Sequence, residues 1–144
     1  MKSWLRITKR WSDDDVHQIS IEVCDGSSTF KNTAYVNLDW FGDVAKDLST
    51  FARQVHGGLY NLRAGEFGPE HADGAFHARL HFPRPGPLYI STCQQSDYVE
   101  FKDREVASEA RLFLKSEPAL LDRFIQELST VARGDGDEAT LESA

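Results

Sequence analysis

The stretches DLSTFAR, at residues 47–53, and ELSTVAR, at residues 127–133, are two copies of one heptapeptide. Five of the seven positions are identical, one acidic residue replaces another, and Phe51 corresponds to Val131. Each copy ends a segment whose apolar residues have helical spacing, and each such segment follows residues that alternate as β-strands do. We therefore expect β-rich segments that are each closed by an amphipathic helix packed on a sheet.

The repeated heptapeptide permits two interpretations. The copies could record an internal duplication, because they lie 80 residues apart and end similar helices. They could equally recur by chance, because seven positions are few. The segments that flank the two copies align poorly, which favours chance or convergence over duplication.

Alternating apolar residues predict several antiparallel strands outside the helices. Ile19, Ile21 and Val23 alternate with polar residues, and Phe76, Ala78, Leu80 and Phe82 do so later in the chain; this pattern is typical of a sheet with one buried face. The helical apolar positions are Phe41, Val44, Leu48, Phe51 and Val55, and then Leu120, Leu121, Phe124, Leu128 and Val131. The prediction is a single α+β domain over residues 1–133, with a largely antiparallel sheet packed by two amphipathic α-helices.

The charge distribution predicts a disordered acidic C-terminal tail. The net charge of the 144 residues is −7, and residues 134–144 supply four acidic residues without any Lys or Arg. This segment is small and polar, so we expect disorder there. Without a basic stripe, we expect no nucleic acid partner. A membrane-spanning helix needs about 20 apolar residues, and every apolar run in this sequence is much shorter, so we expect no membrane association. No signal peptide is visible, so we expect a cytoplasmic location.

Residues that could act as nucleophiles or metal ligands give only weak signals of function. Cys24 and Cys93 are most simply reduced strand residues, although a disulfide or a reactive thiol is an alternative. Cys93 could pair with a histidine on a neighbouring strand, but no third orienting group is implied. A calcium site at Asp13, Asp14 and Asp15 lacks the ligand spacing of a calcium loop, so an acidic turn is expected. We predict no catalytic residue, no cofactor and no metal site.

His77, Arg79 and His81 alternate on one strand and should share its solvated face. Two histidines four residues apart on a strand are about 13 Å apart, which is too far for one zinc ion to bind both. A polar sheet face is therefore the first interpretation, and a pH-sensitive or anion-binding patch is the alternative. Trp4, Trp11, Trp40 and Tyr98 could anchor an interface or simply pack in the core. The possible interaction surface comprises Trp11, Asp13, Asp14, Asp15, His77, Arg79, His81 and Tyr98.

The order of elements resembles that of the WapI-type bacterial immunity proteins and their uncharacterised relatives. The resemblance rests on DLSTFARQV after an N-terminal hairpin, on the strands GAFHARLHF and ASEARLFLKSE, and on the closing helix PALLDRFIQELSTVA. It implies a protein that binds and neutralises a toxin, and it supplies no catalytic residues.

Three functions follow as hypotheses. The first is a non-enzymatic, cytoplasmic protein-binding domain of the immunity-like kind that the resemblance implies, whose partner would be a basic toxin-like protein because the chain is acidic. The second is a small-ligand binder or an enzyme that uses the face of His77, Arg79 and His81. The third is a homo-oligomeric structural module.

Overall fold

The computed structural model describes residues 2–54, 57–68 and 73–144. Val55, which we predicted in the apolar stripe of the first helix, lies outside these ranges. In chain order the elements are β1 (Trp4–Ser12), β2 (Val16–Cys24), β3 (Thr29–Asn37), α1 (Trp40–Phe51), β4 (Leu59–Gly65), β5 (Asp73–His81), β6 (Leu88–Asp97), β7 (Val99–Phe101), β8 (Arg104–Val106), β9 (Glu109–Ser116), α2 (Pro118–Ala132) and β10 (Glu138–Glu142). The predicted α+β class with antiparallel strands and two helices is confirmed.

The strands form two four-stranded antiparallel sheets and one short hairpin. Sheet A has the order β10-β1-β2-β3, sheet B has the order β4-β5-β6-β9, and β7 pairs only with β8. Strand β3 lies against β4, β5 and β6, so the sheets meet along it, while α1 and α2 pack on each other. No helix within the described ranges is both long and apolar enough to cross a membrane.

The alternating residues of the strands and the apolar stripes of the helices build one core. Ile19, Ile21 and Leu80 are fully buried, as are Leu48 of α1 and Leu128 of α2. Each strand of the two four-stranded sheets thus turns one face inward, and each helix buries one side. Trp40 also belongs to this core, and its indole N–H donates to the Arg63 carbonyl at 2.9 Å, so packing is the correct interpretation for this tryptophan.

The C-terminal segment contains a strand in place of the disordered acidic tail predicted for residues 134–144. Strand β10 pairs antiparallel with β1, and Leu141 is the cross-strand partner of Leu5. Ala139 and Leu141 are 0% and 1% exposed. Two alternating apolar residues are enough here because β1 offers an unpaired edge and the core offers a place for both side chains. The acidic residues of β10 point outward, which explains why composition alone suggested disorder.

The chain contains two successive units with the same order of elements, βββαβ. Unit 1 runs from β1 through β2, β3 and α1 to β4, and unit 2 runs from β5 through β6, β9 and α2 to β10. The last strand of each unit joins the sheet of the other, because β4 pairs with β5 and β10 pairs with β1. The hairpin β7–β8 is an insertion in unit 2, where unit 1 has only the four-residue turn 25–28.

Burial relates the two units position by position. A constant shift of 80 residues carries β3 and α1 onto β9 and α2 without a gap. Phe41, Val44, Leu48 and Phe51 become Leu121, Phe124, Leu128 and Val131, and all eight are buried. The heptapeptides therefore occupy equivalent helix ends in equivalent units. This agreement favours an internal duplication, whereas the poor alignment of the flanking segments favours chance or convergence, and duplication stays a prediction.

A buried polar pair joins the two sheets. The side-chain amide of Asn32, on sheet A, donates to the carbonyls of Ala75 and Gln95 of sheet B at 3.1 and 3.0 Å. The Gln94 amide of sheet B donates back to the Ile21 carbonyl at 3.2 Å and to Asn32 Oδ1 at 2.9 Å. Because buried polar groups are costly without partners, this reciprocal pair fixes how the sheets align.

Candidate functional site

The outer face of sheet B carries three successive rows of cross-strand partners, which we call the basic face. Each row crosses the four strands in the order β4, β5, β6, β9. The rows are Arg63, His77, Cys93 and Arg111; then Asn61, Arg79, Ser91 and Phe113; then Leu59, His81, Tyr89 and Lys115. The basic face thus holds four permanent cations and no acidic residue, although the chain as a whole has a net charge of −7.

Strand alternation directs these side chains outward. On β5, Phe76, Ala78 and Leu80 are buried at 1%, 0% and 0% exposure, so the residues between them face away from the core. Arg79 is exposed, and His77 and His81 are half-buried. The predicted solvated face of His77, Arg79 and His81 is therefore present, and it forms the second column of a larger surface.

The cations of the basic face form no ion pair with the acidic residues of the described ranges. Among the residues that the structure describes, none of Arg63, Arg79, Arg111 and Lys115 lies within ion-pair distance of a carboxylate. The acidic residues that follow in the same direction, Glu109 and the cross-strand pair Asp73 and Asp97, lie beyond the Arg63 row at one end of the sheet. The positive charge is therefore concentrated over the three rows.

The equivalent row on sheet A shows that the fold does not require a basic face. Thr140, Arg6, Glu22 and Lys31 form that row, in the places that Arg63, His77, Cys93 and Arg111 take on sheet B. There Arg6 Nη1 lies 3.0 Å from Glu22 Oε1, and Arg6 Nε lies 3.5 Å from Glu138 Oε1. Sheet A thus pairs Arg6 with two carboxylates, whereas within the described ranges neither Arg63 nor Arg111 in the equivalent row of sheet B has such a partner.

His77 sits among these cations and is held by a polar neighbour. Its Nε2 is 2.9 Å from Asn61 Oδ1, which can only accept a hydrogen bond, so Nε2 carries the hydrogen. Burial, and then the nearby Arg63 guanidinium, lower the pKa of His77 below its ordinary 6.5. The imidazole is therefore neutral at neutral pH, and acidification adds one more positive charge to the basic face.

The lowered pKa of His77 predicts a loss of stability on acidification. The unfolded chain takes up the proton near pH 6.5, before the folded protein does, so the stabilising contribution is present above that pH. It is lost as pH falls through the folded-state pKa. We expect the free energy of unfolding in urea to fall more steeply between pH 7.5 and 5 for the wild type than for the His77→Gln variant. Equal slopes for the two proteins would contradict this expectation.

Cys93 lies opposite His77 in the cross-strand register, which is the neighbourhood that a Cys-His pair would need. The sulfur is free and half-buried, and no hydrogen bond joins it to His77 in the described part of the chain. Asn61 holds the ring through Nε2, as the orienting group of a Cys-His-Asn arrangement would. Within the described residues, the contact between thiol and imidazole that would activate Cys93 is therefore the part not formed.

Two open hollows lie on the basic face. One, of about 450 Å³, is lined by His77, Cys93, Arg111 and Glu109, with Phe67 beside it. Residues 66–68 cover the adjoining end of the sheet, where the Gly68 amide donates to Gln95 Oε1 at 2.6 Å. The other, of about 170 Å³, is lined by Arg79, His81, Tyr89, Ser91 and Phe113, with two core residues at its floor.

The remaining predicted interaction residues lie elsewhere. Trp11 is at the end of β1 on sheet A, 45% exposed, with its ring 6.0 Å from that of Tyr35 in an edge contact. Asp13, Asp14 and Asp15 form the following turn, in which Asp13 Oδ1 accepts from the amides of Asp15 and Val16 at 2.8 and 2.9 Å. These bonds lower the pKa of Asp13 and make the turn a structural one. Tyr98 packs over Gly68 at the covered end of sheet B.

The predicted interaction residues therefore divide between the two sheets and do not form one surface. Within the described ranges, no three or more His, Cys, Asp or Glu side chains come together in a way that could hold a metal ion.

Sequence reasoning missed four important members of the basic face, namely Arg63, Arg111, Lys115 and Phe113. They come from two strands separated by nearly fifty residues, and only the strand order brings them beside β5 and β6. One local signal was present, because Arg111, Phe113 and Lys115 alternate with apolar residues and so must share a face of β9.

Comparison of the chain with protein-family models, with curated proteins and with solved structures finds no match.

Proposed function

We propose that the protein is a non-catalytic binding module whose basic face holds an acidic macromolecule. The observation that carries this proposal is the set of four exposed cations over three rows of sheet B, none of which forms an ion pair with another residue of the described ranges. Unpaired cations on an open face attract polyanions and steer them toward it.

The shape of the surface supports a macromolecular partner more than a small ligand. Sites for small molecules are usually enclosed and bury most of the ligand, whereas the two hollows here are open to solvent. Four cations spread over a sheet also match a ligand that repeats its negative charges. Arg63 and Arg111 are three strand spacings apart, which is about 14 Å.

The charge of the basic face bears on the immunity-like hypothesis. A basic toxin-like partner would be repelled by Arg63, Arg79, Arg111 and Lys115 and would need to bind another surface. That role, a homo-oligomeric state and a cytoplasmic location stay predictions. The molecular mass in solution tests the oligomer directly.

Binding to heparin, a polyanion without bases, tests the proposal. If the four cations make contact, the slope of log affinity against log salt concentration should be about −3. Arg111→Glu should weaken binding at least about tenfold and make that slope shallower by about 1. Fluorescence anisotropy with labelled heparin over a series of salt concentrations measures both quantities.

The matched control is Lys31→Glu. Lys31 is exposed and occupies on sheet A the place of Arg111 on sheet B, and the substitution changes the net charge by the same amount. We expect this variant to keep nearly the affinity of the wild type. Equal losses in the two variants would indicate a response to net charge alone, and the proposal would then be wrong. Absence of heparin binding by the wild type would have the same meaning.

A further inference from the structure

We propose that the acidic macromolecule is a single-stranded nucleic acid whose bases stack on Phe113 and Tyr89. This inference rests on the proposed function and adds the chemical class of the partner. The side chains that carry it are two exposed aromatic rings placed among the cations of the basic face.

Phe113 is the most exposed large apolar side chain in the described part of the protein, at 67%. It lies between Arg111 and Lys115 on the outward side of β9, and its cross-strand partner is the small Ser91. Its ring therefore has open space on the sheet and a cation two residues away on each side. Burial cannot explain a phenylalanine held in this position.

Tyr89 repeats the arrangement on the next strand. Tyr89 is 39% exposed, and its cross-strand partners are His81 and Lys115. The next row contains Ser91 and Phe113, so the two rings lie in adjacent rows on neighbouring strands. Both rings line the hollow of about 170 Å³ together with Arg79. One surface thus combines aromatic faces for bases with guanidinium and ammonium groups for phosphates, which is the combination that single-stranded nucleic acids require.

The surroundings of the rings favour bases over an acidic protein. The core of a protein interface is a contiguous apolar patch from which charged residues are depleted. Here the cross-strand partners of Phe113 and Tyr89 are Ser91, His81 and Lys115, while the exposed Leu59 lies across His81 on β4 and the exposed Phe67 lies beside the other hollow. An isolated ring beside a cation suits a single stacked base.

Sheet A provides an internal comparison. The place of Phe113 is taken there by Thr33, 80 residues earlier, and the row of Thr33 contains Glu138. The row of Thr33 therefore has neither an aromatic ring nor a cation, although the exposed rings of Trp11 and Tyr35 lie in the next row of sheet A. An outward ring with a cation two residues away on each side occurs on β9 and not on the equivalent strand β3.

The experiment compares labelled oligonucleotides by fluorescence anisotropy at fixed salt. The probes are a twelve-residue oligo-dT, the corresponding oligo-U, and an abasic strand with the same number of phosphates. The wild type should bind at least one base-containing strand about tenfold more tightly than the abasic strand. A further comparison of oligo-U with oligo-dU, which differ only in the 2′-hydroxyl, distinguishes RNA from DNA.

The variants separate stacking from charge. Phe113→Ala should weaken binding of the preferred strand by about 5- to 150-fold, since a stacked base contributes about 1–3 kcal/mol. It should leave the abasic strand and heparin unaffected, and Phe113→Tyr should restore binding. Phe101→Ala is the matched control, because Phe101 is 60% exposed but lies on the β7–β8 hairpin.

Three outcomes would overturn the inference. The first is equal affinity for base-containing and abasic strands, and the second is an unchanged affinity in Phe113→Ala. The third is tighter binding of poly-L-glutamate than of either oligonucleotide, which would identify an acidic protein segment. In each case heparin binding that depends on Arg111 would leave the proposed function standing. Failure of the wild type to bind any polyanion would overturn both.

Discussion

Leu128→Ala is expected to lower the free energy of unfolding by about 2–5 kcal/mol, and Leu48→Ala should do the same. Both leucines are fully buried, and they occupy equivalent places in α1 and α2, 80 residues apart. Each substitution removes buried methyl groups and leaves a cavity under a helix that covers the sheets. Urea unfolding followed by circular dichroism measures the change.

The matched control is Leu59→Ala, since Leu59 is 47% exposed on the outer face of β4. This variant should lose less than about 1 kcal/mol, as surface substitutions usually do. A loss near zero in Leu128→Ala would contradict the packing of α2 on the core. A large loss in only one of the two helix variants would contradict their structural equivalence.

Asn32→Leu is expected to destabilise the protein by about 2–4 kcal/mol, although it makes the side chain more apolar. Asn32 is 5% exposed, and its loss leaves the carbonyls of Ala75 and Gln95 and the amide of Gln94 without this partner. Each buried polar group that loses its partner costs about 1–3 kcal/mol. The free energy of unfolding in urea gives the value.

The equivalent positions of the two units show which replacements are compatible with the fold. The places of Asn32 and Gln94 in the other unit are taken by Leu112 and Val23, which are both buried. The double variant with Asn32→Leu and Gln94→Val should therefore lose less stability than the sum of the single variants, by about 1 kcal/mol or more. Strict additivity would show that the two amides do not act as a pair.

Periodic residues made much of the fold predictable. The stripe of Leu121, Phe124 and Leu128 and the alternation of Ile19, Ile21 and Val23 each depend on neighbours within one element, so a single segment carries the signal. The strand β10 was missed because its two apolar residues are surrounded by acidic ones, and its stability comes from β1 at the other end of the chain. Pairing over that distance leaves no local trace.

The candidate site was predictable only in part for the same reason. His77, Arg79 and His81 lie on one strand, and alternation was enough to place them on one solvated face. The cations on β4 and β9 join them through the strand order β4-β5-β6-β9, which the sequence does not display. The net charge of −7 also gave no sign of the basic face. The acidic residues lie mainly on other surfaces, so the total concealed a local concentration of four cations.

The equivalence of the two units helps to identify what is particular to this protein. Features shared by both units, such as the buried positions of β3 and β9, are requirements of the fold. Features of one unit alone have no such explanation. Arg111 and Phe113 on sheet B, and the inserted hairpin β7–β8, belong to this second group. The requirements of the fold therefore do not explain why the basic face carries these residues.

A nuclear magnetic resonance titration shows whether the basic face holds an anionic partner. Uniformly ¹⁵N-labelled protein is titrated with heparin, and the amide shifts are followed to saturation. We expect the shifted amides to cluster on the rows of Arg63, Arg79 and Lys115, while those around Arg6 and Lys31 on sheet A stay in place. Saturable shifts centred on sheet A, or no saturable shifts at all, would contradict that expectation.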